Sequence, residues 1–387
     1  MIYSLPYIAL VLFYAILSCV YVTVTDDMKR NIRILCVFVY VVFFGFRGFV
    51  GDDWTIYYPV FTEDIHVGNF QEFVYSLEES PFEIGFTVLL IISKLIFDDY
   101  SFLVFLTTCI NCFLLYRFLR QRVENIPLGI MLFICMGGFV MQINLLRNTI
   151  SILLFVNAIE YLVERKPLPY FLLCTLALTF HLSAIIYFPL YFFFHKRAPR
   201  WVFIAIFLIG NIIFLSQIKF ITPILVSIAG SLGEEYEFLV EAYTEGKLSE
   251  LSKGLSIGYL ERLLTGILIF CYYDKLVSIR RENAVFINSY LAYFFMFFFF
   301  SEFFVVAGRL ANLFTYFYWI IWIDLLKCFS IKSNMVLFVL FLSAYSVLKI
   351  WGMTNLVTLR YDNVMFGSES YEERLYIHEK NKDDVKL

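Results

Sequence analysis

Apolar runs, each near the length a helix needs to cross a bilayer, recur along the whole chain, and charged residues collect between them. About 20 apolar residues make a spanning helix, so this pattern commits the 387-residue chain to a polytopic membrane protein. Composition agrees: 61% of residues are hydrophobic, 16% are charged, and the mean hydropathy is +0.77. The formal charge of -3 says little, because in membrane proteins the placement of charge matters more than its sum. The first run, residues 3–24, has no basic leader and no small-residue cleavage site, and is read as a retained helix. The eight cysteines are scattered singly apart from Cys109 and Cys112. Those two share a helix face in an apolar run with no histidine near them, so they read as buried small residues. No P-loop, dinucleotide fingerprint, metal-binding carboxylate cluster or nucleic-acid patch is evident, so neither cofactor, metal nor nucleic acid is expected.

Basic residues set the orientation. Lys29, Arg30 and Arg33 place the first connection in the cytoplasm, and run 34–50 then crosses outward. Residues 51–81 are acidic and polar and read as an external loop. Run 82–97 is short for a span and carries Lys94. If it crossed, run 102–119 would put Arg117, Arg120 and Arg122 outside, and every later basic loop with them. It is therefore expected to dip in and return, or to lie at the interface. Run 168–194 is read as two short helices meeting at His181, because the basic run 195–200 requires the inner side again. Runs 127–141, 150–163, 201–216, 257–273, 284–305, 311–326 and 335–351 complete an all-α domain at 1–367 with about 11–13 transmembrane helices. A second external loop is expected near 217–256, and a charged, poorly ordered tail at 368–387.

The outward exit of run 34–50 carries RGFVGDDWTIYYPVF, residues 47–61. If a helix resumes after Gly51, then Asp53, Tyr57 and Phe61 share one face. Further polar residues interrupt apolar surroundings, where they are costly in lipid and often mark a working site. Gln142, Asn144, Arg147, Asn148 and Ser151 open one helix, His181 lies in TFHLSA, and Arg309 follows Gly308 with Glu302 two turns earlier. Each has an ordinary reading. Lone arginines snorkel to headgroups, Trp54 and Tyr58 suit interfacial anchors, and a lone histidine usually forms a structural hydrogen bond. Glu302 could pair with Arg309, and Asp324 with Lys327. The case for a site is agreement: one topology brings Arg47, Asp53, Arg147, His181 and Arg309 to the outer face. Converging guanidinium groups make an anion site, because each can hold phosphate oxygens in a fork.

These residues carry a resemblance. GDDWTIYYPVF resembles the G-x-D-x-x-x-Y-x-x-x-F signature of the EpsG family of Wzy-like exopolysaccharide and O-antigen polymerases. MQINLLRNTISILLFVNAIEYLVERK is similar to that family's N-x-x-R helix opening, FHLSAIIYFPLY to its F-H-x-S-A motif, and GRLANLFTYF to its late arginine motif. The four occur in the family's order. Asn148 stands where the family often has glutamine, and the spacing to Tyr57 selects Asp53 over Asp52.

The resemblance implies a GT-C-like membrane glycosyltransferase in the bacterial cytoplasmic membrane. It would join undecaprenyl-pyrophosphate-linked oligosaccharides into capsule, exopolysaccharide or O-antigen, with a chain-length regulator as a candidate partner. On that reading Arg147 and Arg309, with Arg47 third, hold the pyrophosphate leaving group, and Asp53 or His181 is the general base. Trp54, Tyr57 and Tyr58 pack on sugar rings, and Asn144, Asn148 and Glu302 line the site. The alternatives are an O-antigen ligase or another lipid-linked-sugar glycosyltransferase, then a flippase or transporter, then a non-catalytic scaffold. Transport would spread polar residues through the membrane depth, whereas here they gather at one face.

Overall fold

The computed structural model describes residues 2–224 and 255–381. It is 80% helical, with no strand among the described residues. Most of the expected loop at 217–256, including its glutamates Glu234 to Glu250, lies outside the described residues. Contacts divide the chain into two compact units: residues 1–193 together with the stretch from 332 onward, and residues 194–331.

In the first unit α1 (Leu5–Tyr21) and α2 (Asp26–Gly45) run antiparallel. Tyr7 packs edge-on against Phe43, Tyr14 donates its hydroxyl hydrogen to the Cys36 carbonyl at 2.8 Å, and Arg33 reaches the Tyr21 hydroxyl. Helix α2 starts before the apolar run because Asp26 and Asp27 in its first turn suit the positive end of the helix dipole. Lys29, Arg30 and Arg33 therefore sit on the helix and not in a loop.

After Gly51 the chain turns into α3 (Trp54–Pro59), which continues as a π-helical turn to Asp64. The expected loop at 51–81 also contains α4 (Phe70–Glu79), capped by the Asn69 side chain accepting from the Glu72 N–H. Then follow α5 (Ile84–Ile96), α6 (Tyr100–Arg122), α7 (Ile126–Phe133) and α8 (Phe139–Asn144). The chain breaks between α7 and α8 at Met136 and Gly137. Next come α9 (Leu146–Val163), α10 (Pro167–Phe180) and α11 (Tyr187–Phe193). Helices α6 and α9, the broken 126–144 pair and a later helix at 332–354 are long and apolar enough to cross a membrane; six shorter apolar helices accompany them.

Both ends of α5 lie at the same end of this unit. Glu83, just before it, pairs with Arg147 at the start of α9, while Lys94 in its last turn donates to the Phe61 and Thr62 carbonyls at 2.8 and 3.2 Å. Tyr100, four residues past Ile96, stacks on Phe49 at 5.8 Å, just beyond the end of α2. A crossing helix would separate these partners by its own length. The second awkward run also resolves into a hairpin. The chain leaves α10 at His181 (φ −159, ψ 128), makes a 3-10 turn, and folds back so that Tyr191 rests against Tyr170 and Phe171. Tyr187 stacks on Phe155 of α9 at 3.7 Å.

The second unit contains α12 (Arg200–Leu215), α13 (Ile257–Cys271), α14 (Tyr273–Ile279), α15 (Asn283–Phe299), α16 (Phe304–Asn312) and α17 (Tyr318–Cys328). Buried Asp324 pairs with Arg280 at 2.8 Å and accepts from Asn283, so its partner is not the nearby Lys327 that proximity in sequence suggests. Buried Glu261 accepts from the Tyr318 and Thr265 hydroxyls.

The chain re-enters the first unit with α18 (Lys332–Thr354) and ends the described residues with α19 (Tyr371–Lys380). This last helix corrects the expectation of a loose tail from residue 368. Ser370 and Glu373 form a reciprocal capping box, and Arg374 is only 2% exposed. Tyr371 stacks on Tyr58 at 4.2 Å, and His378 Nε2 lies 3.0 Å from Asp52. A charged segment reads as solvated by composition, but here Tyr371 and His378 pack against the Asp52–Tyr58 turn, Arg374 is buried on Glu369 and the Arg360 carbonyl, and Tyr376 stays exposed. Residues 382–387 lie outside the described residues.

Candidate active site

Arg147 is the centre of the site. It stands in the first turn of α9, two residues after the non-helical Leu145. Its Nε donates to the Tyr57 hydroxyl at 3.2 Å and its Nη1 pairs with Glu83 Oε2. The guanidinium also lies 4.6 Å from the centre of the Phe82 ring. Among the described residues Nη2 has no hydrogen-bond partner. A guanidinium has five N–H donors, so a fixed cation keeps donors to spare. Arg147 and Glu83 side chains are each 23% exposed. The Asp53 carboxylate lies against the same Tyr57 phenol, and burial first, then Asp53, pushes that phenol above its usual range. Tyr57 thus stays protonated and links Asp53 to Arg147.

From Glu83 the network passes to His181. Glu83 Oε1 accepts the backbone N–H of Leu182 at 2.9 Å, where α10 ends and the chain folds back. His181 Nδ1 accepts the Ser183 backbone N–H at 3.2 Å and lies 2.7 Å from the Ser183 hydroxyl. That hydroxyl is also 3.3 Å from Asn148 Oδ1 on α9. Asp53, Tyr57, Arg147, Glu83, His181 and Asn148 therefore form one connected set drawn from α3, the α5 entrance, α9 and the α10 turn.

The signature segment supports this set from behind. Gly51 has φ +90, and a Cβ there would stand 2.0 Å from Asn144 Oδ1 and 2.4 Å from Ile143 Cγ2. Asn144 accepts the Asp52 N–H at 2.9 Å and donates to Asp52 Oδ2 at 3.2 Å. Asp52, set aside on spacing, is thus the latch between this turn, α8 and α19, while Asp53 is left on the Tyr57 side. Trp54 is 5% exposed, donates to the Gly51 carbonyl at 2.8 Å, and packs against Phe49, Tyr371 and His378. Its ring braces the turn.

The other expected site residues lie as follows. Arg47 is 5% exposed and donates to the Phe44 carbonyl at 2.6 Å. Tyr58 is stacked on Tyr371. In the second unit Glu302 accepts three backbone N–H groups, from Phe220, Ile221 and Thr222, each at 2.8 Å, plus the Thr222 hydroxyl. It closes a turn there and is not a partner of Arg309. Burial opposes its ionisation, but those donors hold its carboxyl below the usual range. Arg309, in the last turn of α16, is exposed, and no described residue pairs with it. Among the described residues no group of three or more His, Cys, Asp or Glu could hold a metal ion.

Sequence reasoning missed Glu83, Ser183 and His378. The signal for Glu83 was modest: one acid directly ahead of an apolar run already too short to span. Burial pushes its carboxyl up, but the Leu182 and Glu83 N–H groups, then Arg147 and His181, outweigh that and hold it below the usual range. A depressed native pKa gives stability that is full above the unfolded value of about 4.3 and is lost as pH falls through the lower native value. Thermal unfolding of the purified protein should therefore show the native chain slightly more stable than Glu83→Gln at pH 7, by at most about 1 kcal/mol because the pair is partly exposed and screened. The gap should close as the pH falls below the unfolded value and through the lower native one; a gap independent of pH would contradict it.

The described residues thus form an all-helical membrane bundle whose first unit gathers a braced arginine, a carboxylate and an imidazole. The sequence model of the EpsG family matches residues 30–363, nearly the whole chain, and the protein belongs to that family. The family is exopolysaccharide-polymerase-like, which supports a role in making polysaccharide at a membrane. No curated protein and no solved structure matches the chain.

Proposed function

We propose that this protein is a polysaccharide polymerase of GT-C-like architecture. It transfers a growing glycan from undecaprenyl pyrophosphate to a second lipid-linked repeat unit, at the outer face of the bacterial cytoplasmic membrane. One observation carries the reading: Arg147 is held by Tyr57 and Glu83 with donors to spare, beside Asp53 and His181. An acceptor hydroxyl oxygen attacks the anomeric carbon, and the bond from that carbon to the pyrophosphate oxygen breaks, its electron pair leaving with the pyrophosphate. Charge grows on the leaving group, and a preorganised guanidinium lowers that barrier. The hydroxyl proton passes to Asp53. Asp53 has the stronger motif context for the base, and His181 is the alternative in the same connected set. Arg309 belongs to this proposal on its sequence context.

The test is incubation of the purified full-length protein with an undecaprenyl-pyrophosphate-linked repeat unit. A ladder of products spaced by one repeat is expected. A single added unit would indicate a ligase or simple glycosyltransferase, and no elongation under conditions where the protein is folded would overturn the reading.

A further inference from the structure

Glu83 uses its two carboxylate oxygens on two different elements. One pairs with Arg147 on α9, and the other accepts the Leu182 N–H directly after His181. The 23% exposure of both partners leaves the pair at the surface of the site and not sealed in a core. An isolated ion pair at such a position adds little stability. An acid beside an anion-binding arginine also repels the anion. Its placement is better explained by geometry: Arg147 has Tyr57 on Nε and Glu83 on Nη1, which fixes the guanidinium plane and leaves Nη2 without a partner among the described residues. The same carboxylate ties that plane to the turn that sets the His181 ring.

Resting on the polymerase reading above, we propose that Glu83 is a positioning residue: it orients Arg147 towards the diphosphate and ties it to the turn that carries His181. It touches no reacting atom. The reaction loses its fit when Glu83 is removed, while ground-state attraction for the diphosphate does not weaken, because a repelling charge has gone.

Purified full-length protein carrying Glu83→Gln should show kcat reduced about 100-fold, the cost typical of misplacing a catalytic group by about 1 Å, with KM unchanged or lower. Titration with undecaprenyl pyrophosphate counts folded sites in each variant, so loss of fold is scored separately. Glu83→Asp, which keeps the charge on a shorter arm, should recover part of kcat. The deciding measurement is a double-mutant cycle with Arg147→Lys. If Glu83 works through Arg147, the double variant matches Arg147→Lys within about twofold. If the two losses multiply, or if Glu83→Gln keeps its kcat, the positioning role is wrong. The same cycle read in undecaprenyl pyrophosphate affinity decides the coupling even if the native protein elongates nothing, an outcome that would sink the polymerase reading alone.

Discussion

Replacing Arg147 with lysine is expected to abolish polymer in cells while leaving the amount of membrane protein unchanged. Lysine keeps the charge but is a point cation on a flexible stem, without the planar fork of a guanidinium. It cannot bond Tyr57 and Glu83 from two different nitrogens and still turn a third towards a diphosphate. The lost stabilisation of the leaving group should lower kcat by about 100- to 1,000-fold, as for removal of one preorganised donor. Folding should tolerate the change, because Arg147 is partly solvent-exposed and lysine still satisfies Glu83 electrostatically. Polymer yield and chain length in a strain carrying only the variant, with protein quantified in the membrane fraction, read the result. Full-length polymer from Arg147→Lys would end the claim that this residue holds the leaving group. Arg309→Lys is the matching test in the second unit, and it stands or falls by itself.

The second large effect is expected at Gly51. An alanine there must adopt φ +90 and place its Cβ 2.0 Å from Asn144 Oδ1 and 2.4 Å from Ile143 Cγ2. Backbone strain and overpacking each cost about 1–3 kcal/mol, so together about 2–6 kcal/mol is expected. The damage should also reach function, because the displaced groups are the ones that latch Asp52 and so set Asp53 and Tyr57. Gly367→Ala separates the two causes. Gly367 has φ +92 but nothing within 4 Å of its would-be Cβ, so only the backbone term applies. Thermal unfolding of the two variants should show Gly51→Ala clearly the less stable, with polymer lost only in that one. Equal destabilisation would mean that the contact with Asn144 is unimportant.

Much of this was legible in the chain because lipid is a severe solvent. Runs of apolar residues must be helices there, and basic residues between them fix which ends lie together. That logic alone expected residues 82–97 to dip in and return or lie at the interface, and residues 168–194 to break at His181; the chain does leave the helix Pro167–Phe180 at His181 and fold back. The tail was misread because its charge masked an amphipathic fit. Tyr371 and His378 are ordinary residues of a polar helix until the Gly51–Tyr58 turn is there to receive them.

The sequence by itself determined an all-α membrane bundle, the family, and the segments that carry Asp53, Arg147 and His181, since those follow from hydropathy and local spacing. Only the tertiary structure decided what joins them. Glu83 lies 64 residues from Arg147 along the chain, and Asp52 lies 326 from His378. A single carboxylate before an apolar run is unremarkable in sequence. It becomes part of the site only because folding brings α5, α9 and the α10 turn to one end of the unit, where its two oxygens find two partners.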